Sequence, residues 1–128
     1  ADRARTVVSH VPGVSAPSAA LGRRFFAHRD ELVGASREHL RRNHELLASF
    51  VDDRDDLSGE IADGCTFGFV RHDRADGDAV VEAAWENGVL VVPGRFFDLG
   101  EGIRLSAGRD TDEVRAGLEA FGDVLDGL

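Results

Sequence analysis

The tetrapeptide "IRLS", residues 103–106, sets one arginine inside an apolar stretch with strand character. Side chains alternate along a strand, so Arg104 and Ser106 must face away from Ile103 and Leu105. A guanidinium is a planar fork of donors that matches a carboxylate in two parallel hydrogen bonds. Arg104 is thus either a solvent-facing charge or a side chain aimed at an anionic ligand. Its position soon after a proline–glycine loop, Pro93-Gly94, keeps the second reading in play.

The other reactive side chains form weaker patterns. His28, His39 and His44 lie on a helical stretch, but His39 and His44 are five residues apart. Zinc ligands sharing a helix face stand four apart, so these histidines read as solvated surface and no metal site is expected. "DDRDDLSGE", residues 52–60, is rich in carboxylates but lacks the alternating ligands and distal glutamate of a calcium loop. "DRADGD" fails the same pattern and reads as a turn with a helix cap. Cys65 has nothing near it in sequence to lower its pKa, which predicts a buried, inert thiol. Trp85 sits mid-helix and is expected to pack. "DGCTFGF" contains neither GxGxxG nor a Walker lysine. Ser9, Ser15 and Ser18 lack a nucleophile-elbow context.

The elements that would position Arg104 follow from pattern and punctuation. Residues 2–9, with Asp2 as cap, could make a short helix, and Pro12, Gly13 and Pro17 then interrupt regular structure. Ser15 or Ser18 can cap a long helix whose apolar positions are Leu21, Phe25, Leu32, Leu40, Leu46, Leu47 and Phe50. A break is expected near Arg29–Asp30. "DDRDDLSG" is a polar turn, and "EIADGCTFGFVRH" has β character, with Cys65, Phe67 and Phe69 alternating. A capped helix follows, with Ala79, Val80, Ala83 and Ala84 inward and Gly88 as its stop. "VLVVPG" reads as a buried strand and "EGIRLSAG" as the next, joined by a glycine-containing loop of about eight residues that permits an antiparallel pair. The last helix has Thr111 as candidate cap and Val114, Leu118, Phe121, Val124 and Leu125 as its apolar face. This is an α+β layout: a small antiparallel or mixed sheet of three to four strands covered by helices, preceded by a long bent helix.

Composition removes whole classes of function. The chain has 128 residues, 42% hydrophobic and 30% charged, which suits a globular domain with its own core. No apolar run approaches the roughly 18 residues of a membrane helix. A net charge of -9 lacks the basic footprint that nucleic acid requires. One cysteine excludes an internal disulfide and suits the cytoplasm. All 15 basic residues are arginines. An acidic, lysine-free surface is what a high-salt, halophilic cytoplasm favours, and a GC-rich genome alone also replaces lysine with arginine. Without lysine, no side chain here can form a Schiff base with a carbonyl cofactor.

Taken in order, "SAPSAALGRRFF", "LRRNHELLASFV", "GCTFGFVRH", "NGVLVVPGRFFDLGEGIRLSAG" and "EVRAGLEAFGDVL" resemble the C-terminal part of class I/II, fold-type I aminotransferases, which depend on pyridoxal 5'-phosphate. The most specific piece is "VLVVPG" followed by "IRLS". The resemblance implies that Arg104 holds the α-carboxylate of the substrate and that Phe96 or Phe97 lines the active-site mouth. It also implies that residues 1–29 end the large cofactor-binding domain and residues 30–128 form the small domain. The substrates would be an amino acid and a 2-oxo acid, and the parent a homodimer. The family's Schiff-base lysine has no match, so the chain is expected to be a fragment, inactive alone and without bound cofactor, exposing apolar surface on residues 14–32. The alternatives are a free-standing, non-catalytic carboxylate-binding or interaction module, and the small domain of a fold-type I decarboxylase or lyase.

Overall fold

Local capping chemistry sets the first helix. A computed structural model describes residues 13–128; the expected helix over residues 2–9, and Ser9 with it, lies outside them. Ser15 accepts a hydrogen bond from the Ser18 amide, and Pro17 occupies the first turn, where its missing N–H costs nothing. The helix α1, Ala16–Ala27, ends at His28, and α2, Arg29–Asp52, starts immediately after it. The expected break therefore falls at His28. Two compact units divide between Ala35 and Ser36, within α2. In the first, Val14, Leu21, Phe25, Phe26 and Leu32 are exposed.

The second unit is built on a four-stranded antiparallel sheet. Its strands are β1 (Leu57–Glu60), β2 (Phe67–His72), β3 (Val92–Pro93) and β4 (Ile103–Ser106), in the spatial order β1-β2-β4-β3. Register pairs Leu57 with His72, Phe69 with Arg104, Val70 with Ile103 and Val92 with Arg104. Because opposed residues share a face, Leu57, Val70, His72, Ile103 and Leu105 point to one side and Phe67, Phe69, Arg71, Arg104 and Ser106 to the other.

The first of these faces is the core. It packs on Leu47 and Val51 of α2, on Val80 and Ala84 of α3 (Gly77–Glu86), and on Val114, Phe121, Val124 and Leu125 of α4 (Thr111–Leu125). Each fully buried side chain of this size contributes about 1.5–3 kcal/mol. Asp76 caps α3 by accepting from the Asp78 and Ala79 amides, both at 2.9 Å. The cap of α4 is Asp110, which accepts from the Asp112 amide, rather than Thr111. A carboxylate one residue earlier reaches the same free donors and also meets the helix dipole.

Several expectations change. Trp85 is 70% exposed, because the closest approach of α3 to the sheet is made by Val80 and Ala84. Cys65 precedes β2 and is half-buried in a turn. Ala79 faces outward and Leu90 is exposed; only Val92–Pro93 of the "VLVVPG" run pairs as strand. His44 is not solvated surface: its ring is largely buried, with Nε2 3.7 Å from Asp63.

The acidic turn after α2 is a lock rather than loose surface. Arg54 donates through Nε and Nη2 to both oxygens of Asp56, at 2.8 and 2.6 Å, and through Nη2 to Asp126 beyond the end of α4, at 2.7 Å. Its side chain is 18% exposed and that of Asp56 17%. These hydrogen bonds hold the Asp56 carboxyl below its ordinary 3.8, against the opposing effect of burial. Since the folded pKa is the lower one, the pairing stabilises fully above the unfolded value and is lost as pH falls through the folded one. Asp56→Asn should cost about 2 kcal/mol at neutral pH. In denaturant titrations, the gap to wild type should close below pH 3.8. A gap that stays constant into acid would exclude this origin.

Candidate functional site

Arg104 stands on the sheet face that carries no helix in the second unit. The apolar contacts of Ile103 and Leu105 fix the pleat, so Arg104 has no other direction to take. Its guanidinium carbon lies 4.4 Å from the ring centre of Phe67 and 5.3 Å from that of Phe97. Phe69, its cross-strand partner, meets both rings edge-on, at 5.9 Å from Phe67 and 5.3 Å from Phe97. The result is a guanidinium seated against two phenylalanines, which Phe69 braces. A cavity of about 350 Å³ on the same face is lined by Ser58, Phe69, Arg71 and Leu99.

Phe97 is delivered by a tight loop. Gly94–Phe97 form a 3-10 turn closed by Asp98, which adopts a left-handed conformation at φ 58°. The Gly94 amide donates to the Gly102 carbonyl at 2.5 Å, and a Cβ on Gly94 would meet that same oxygen at 2.5 Å. Only glycine lets the two backbone segments approach so closely. Phe96 points elsewhere. It is 68% exposed and stacks on the Arg95 guanidinium at 5.0 Å. The structure thus brings Arg104 and Phe97 together and leaves Phe96 apart.

Two arginines among the described residues are half-buried, and they are treated oppositely. Arg54 has two carboxylate partners. Arg104 has none among the described residues, and its Nε is buried without an acceptor. A buried donor left unsatisfied costs about 1–3 kcal/mol, more when charged. The aromatic faces offset part of that cost through cation–π attraction. What such a site can do is receive an anion of carboxylate shape on its remaining donors.

Two residues outside the predicted set support this face. Asn43 of α2 is fully buried and donates to the carbonyls of Ala107 and Arg109, at 2.9 and 2.7 Å, tying down the chain that leaves β4. His39 adds a 3.0 Å contact from Nε2 to the Arg109 carbonyl. His72 lies on the core side, with Nδ1 accepting the Ala75 amide at 3.0 Å, so it caps a turn and does not reach Arg104. Among the described residues, no group of three His, Cys, Asp or Glu side chains is placed to hold a metal ion. No helix is long and apolar enough there to cross a membrane.

Fold and site together define an α+β domain that presents a half-buried arginine, unpaired among the described residues. The family model for aminotransferase class I and II matches residues 1–121, and the chain belongs to that family. Among solved structures, a PLP-dependent aminotransferase from Streptococcus suis superposes with a TM-score of 0.78 at 23% identity, over 88% of this chain and 30% of that one. A tetra mutant of Thermus thermophilus aspartate aminotransferase gives 0.68 at 28% identity, over 79% of this chain and 28% of that one. LysN, an α-aminoadipate aminotransferase from Thermus thermophilus, gives 0.68 at 23% identity, over 84% and 29%. No curated protein matches the chain at a significant level. The chain therefore spans about 30% of the length of the first of these solved relatives. Pyridoxal phosphate is anchored in such enzymes through a lysine imine, and this chain has 15 arginines and no lysine. Its residues do not fit that anchoring role.

The loop geometry predicts a contrast between two glycines. Gly94→Ala forces Cβ against the Gly102 carbonyl and should cost about 1–3 kcal/mol while displacing Phe97. Gly117→Ala, on the exposed side of α4 with nothing within 4 Å, should stabilise by about 0.5–1 kcal/mol. Thermal unfolding of both variants checks the pair. Equal effects would contradict the close approach at Gly94.

Proposed function

We propose that this chain is the substrate-carboxylate-binding portion of a longer PLP-dependent aminotransferase, which moves an amino group between an amino acid and a 2-oxo acid. Residues 30–128 are the small domain and residues 1–29 the end of the large one. The reading is carried by one observation, the half-buried and unpaired guanidinium of Arg104 on the open sheet face. Family membership supports the activity, and the modest share of each relative that is matched supports a longer parent.

In this reading Arg104 takes the α-carboxylate in two parallel charge-assisted hydrogen bonds and so fixes the orientation of the α-carbon. Phe97 closes one side of the guanidinium and keeps water from it. When bound, the cofactor supplies an electron sink for the α-carbon. Its anchoring groups belong to residues beyond these, in a parent expected to be a homodimer. A free-standing carboxylate-binding module is the second reading, and the absence of lysine fits both.

Arg104→Gln in the intact polypeptide separates these ideas. Loss of two charge-assisted hydrogen bonds should raise KM for the amino acid on the order of 100-fold. Cofactor retention, read from its visible absorbance, should not change. An unchanged KM would reject the role of Arg104. A natural polypeptide that begins at Ala1 and binds a 2-oxo acid without transaminating it would favour the module.

A further inference from the structure

The rings beside Arg104 are not core residues. Phe67 is 36% exposed and Phe97 42%, and neither belongs to the buried cluster beneath the sheet. They come from elements far apart in sequence, the start of β2 and the 3-10 turn after β3. Yet both converge on one guanidinium, at 4.4 and 5.3 Å, while Phe69 braces each of them edge-on. Both rings keep more than a third of their surface, so burial and the contacts with Phe69 are incomplete, and the attraction to the cation adds to what holds them there.

A guanidinium has two edges able to hold a carboxylate, one using Nε with an Nη and one using both Nη atoms. In Arg104 the Nε is buried and has no acceptor among the described residues. An incoming carboxylate therefore meets the outer edge, formed by Nη1 and Nη2. We infer that Phe67 and Phe97 are positioning residues that hold the Arg104 guanidinium against their rings and present its outer edge, end-on, to the substrate carboxylate. The inference rests on the reading of Arg104 as the carboxylate-binding residue. The rings act through Arg104 and make no demand on the reacting atoms. They reduce the freedom of a long side chain before the ligand arrives, and they exclude water from its flat faces.

Leucine and tyrosine variants test this. Phe67→Leu and Phe97→Leu keep an apolar side chain but remove the π face, whereas Phe67→Tyr and Phe97→Tyr keep it. In the intact protein, each leucine variant should raise both KM for the amino acid and the dissociation constant for a 2-oxo acid by about 3- to 10-fold. The tyrosine variants should stay within about 2-fold of wild type, and kcat should move far less than KM. The Nε–H resonance of Arg104, shifted by the flanking rings, should move toward the position of an ordinary exposed arginine in the leucine variants only. Should one leucine variant fail to fold, the other reads the same quantity from the second ring. Leucine variants that bind like wild type, or tyrosine variants as weak as leucine, would overturn the inference while Arg104→Gln still weakens binding. If Arg104→Gln leaves affinity unchanged, the carboxylate-binding reading itself is overturned, and the inference with it.

Discussion

A sheet covered on one side forces a choice at every residue of β4. Ile103 and Leu105 are held in the core against α4 and the Ser36–Asp52 part of α2, and the period of two leaves Arg104 facing out. A slip of one residue would bury the guanidinium among Val114, Phe121 and Leu125 and expose both apolar neighbours. That arrangement is far too costly to compete. The direction of the charge is therefore fixed by hydrophobic burial on the opposite face. Register then supplies Phe69 as the cross-strand partner, and the Gly94–Gly102 approach supplies Phe97.

The two half-buried arginines differ in what surrounds their guanidinium groups. Arg54 is saturated by Asp56 and Asp126, and its contacts join the end of α2, the start of β1 and the end of α4. Nothing is left over for a ligand. Arg104 is partly desolvated but unpaired among the described residues, with aromatic faces where carboxylates could have been. The Nη atoms of such a group remain open to charge-assisted hydrogen bonds with an anion.

Much of this was legible along the chain because it is local. Ser15 and Asp76 are caps whose partners lie within three residues, the break at His28 falls beside the expected Arg29–Asp30, and the apolar face of α4 is nearly as its periodicity predicts. Arg104 was legible because alternation within four residues exposes it. Phe67 and Phe69 were harder. Alternation says that they share a side, but not that Gly68 and Val70 take the core side instead, where the Ile61 side chain packs over Gly68. Trp85 was misread because the close packing of Val80 and Ala84 sets which side of α3 is buried. Asn43, Arg54 and Asp126 gave no signal at all. Apart from the Arg54–Asp56 pair, their partners are 64 to 72 positions away, and a polar residue that will be buried looks in sequence like one that will not.

The central claim is that Arg104 is poised for a carboxylate. Its most direct test is a titration of the intact, isotope-labelled protein with a simple 2-oxo acid, following the arginine side-chain nitrogen resonances. The account predicts saturable shifts at the Nη nitrogens of Arg104, smaller ones at its buried Nε, and silence at Arg54. Shifts confined to other arginines, or none at saturating ligand, would contradict it.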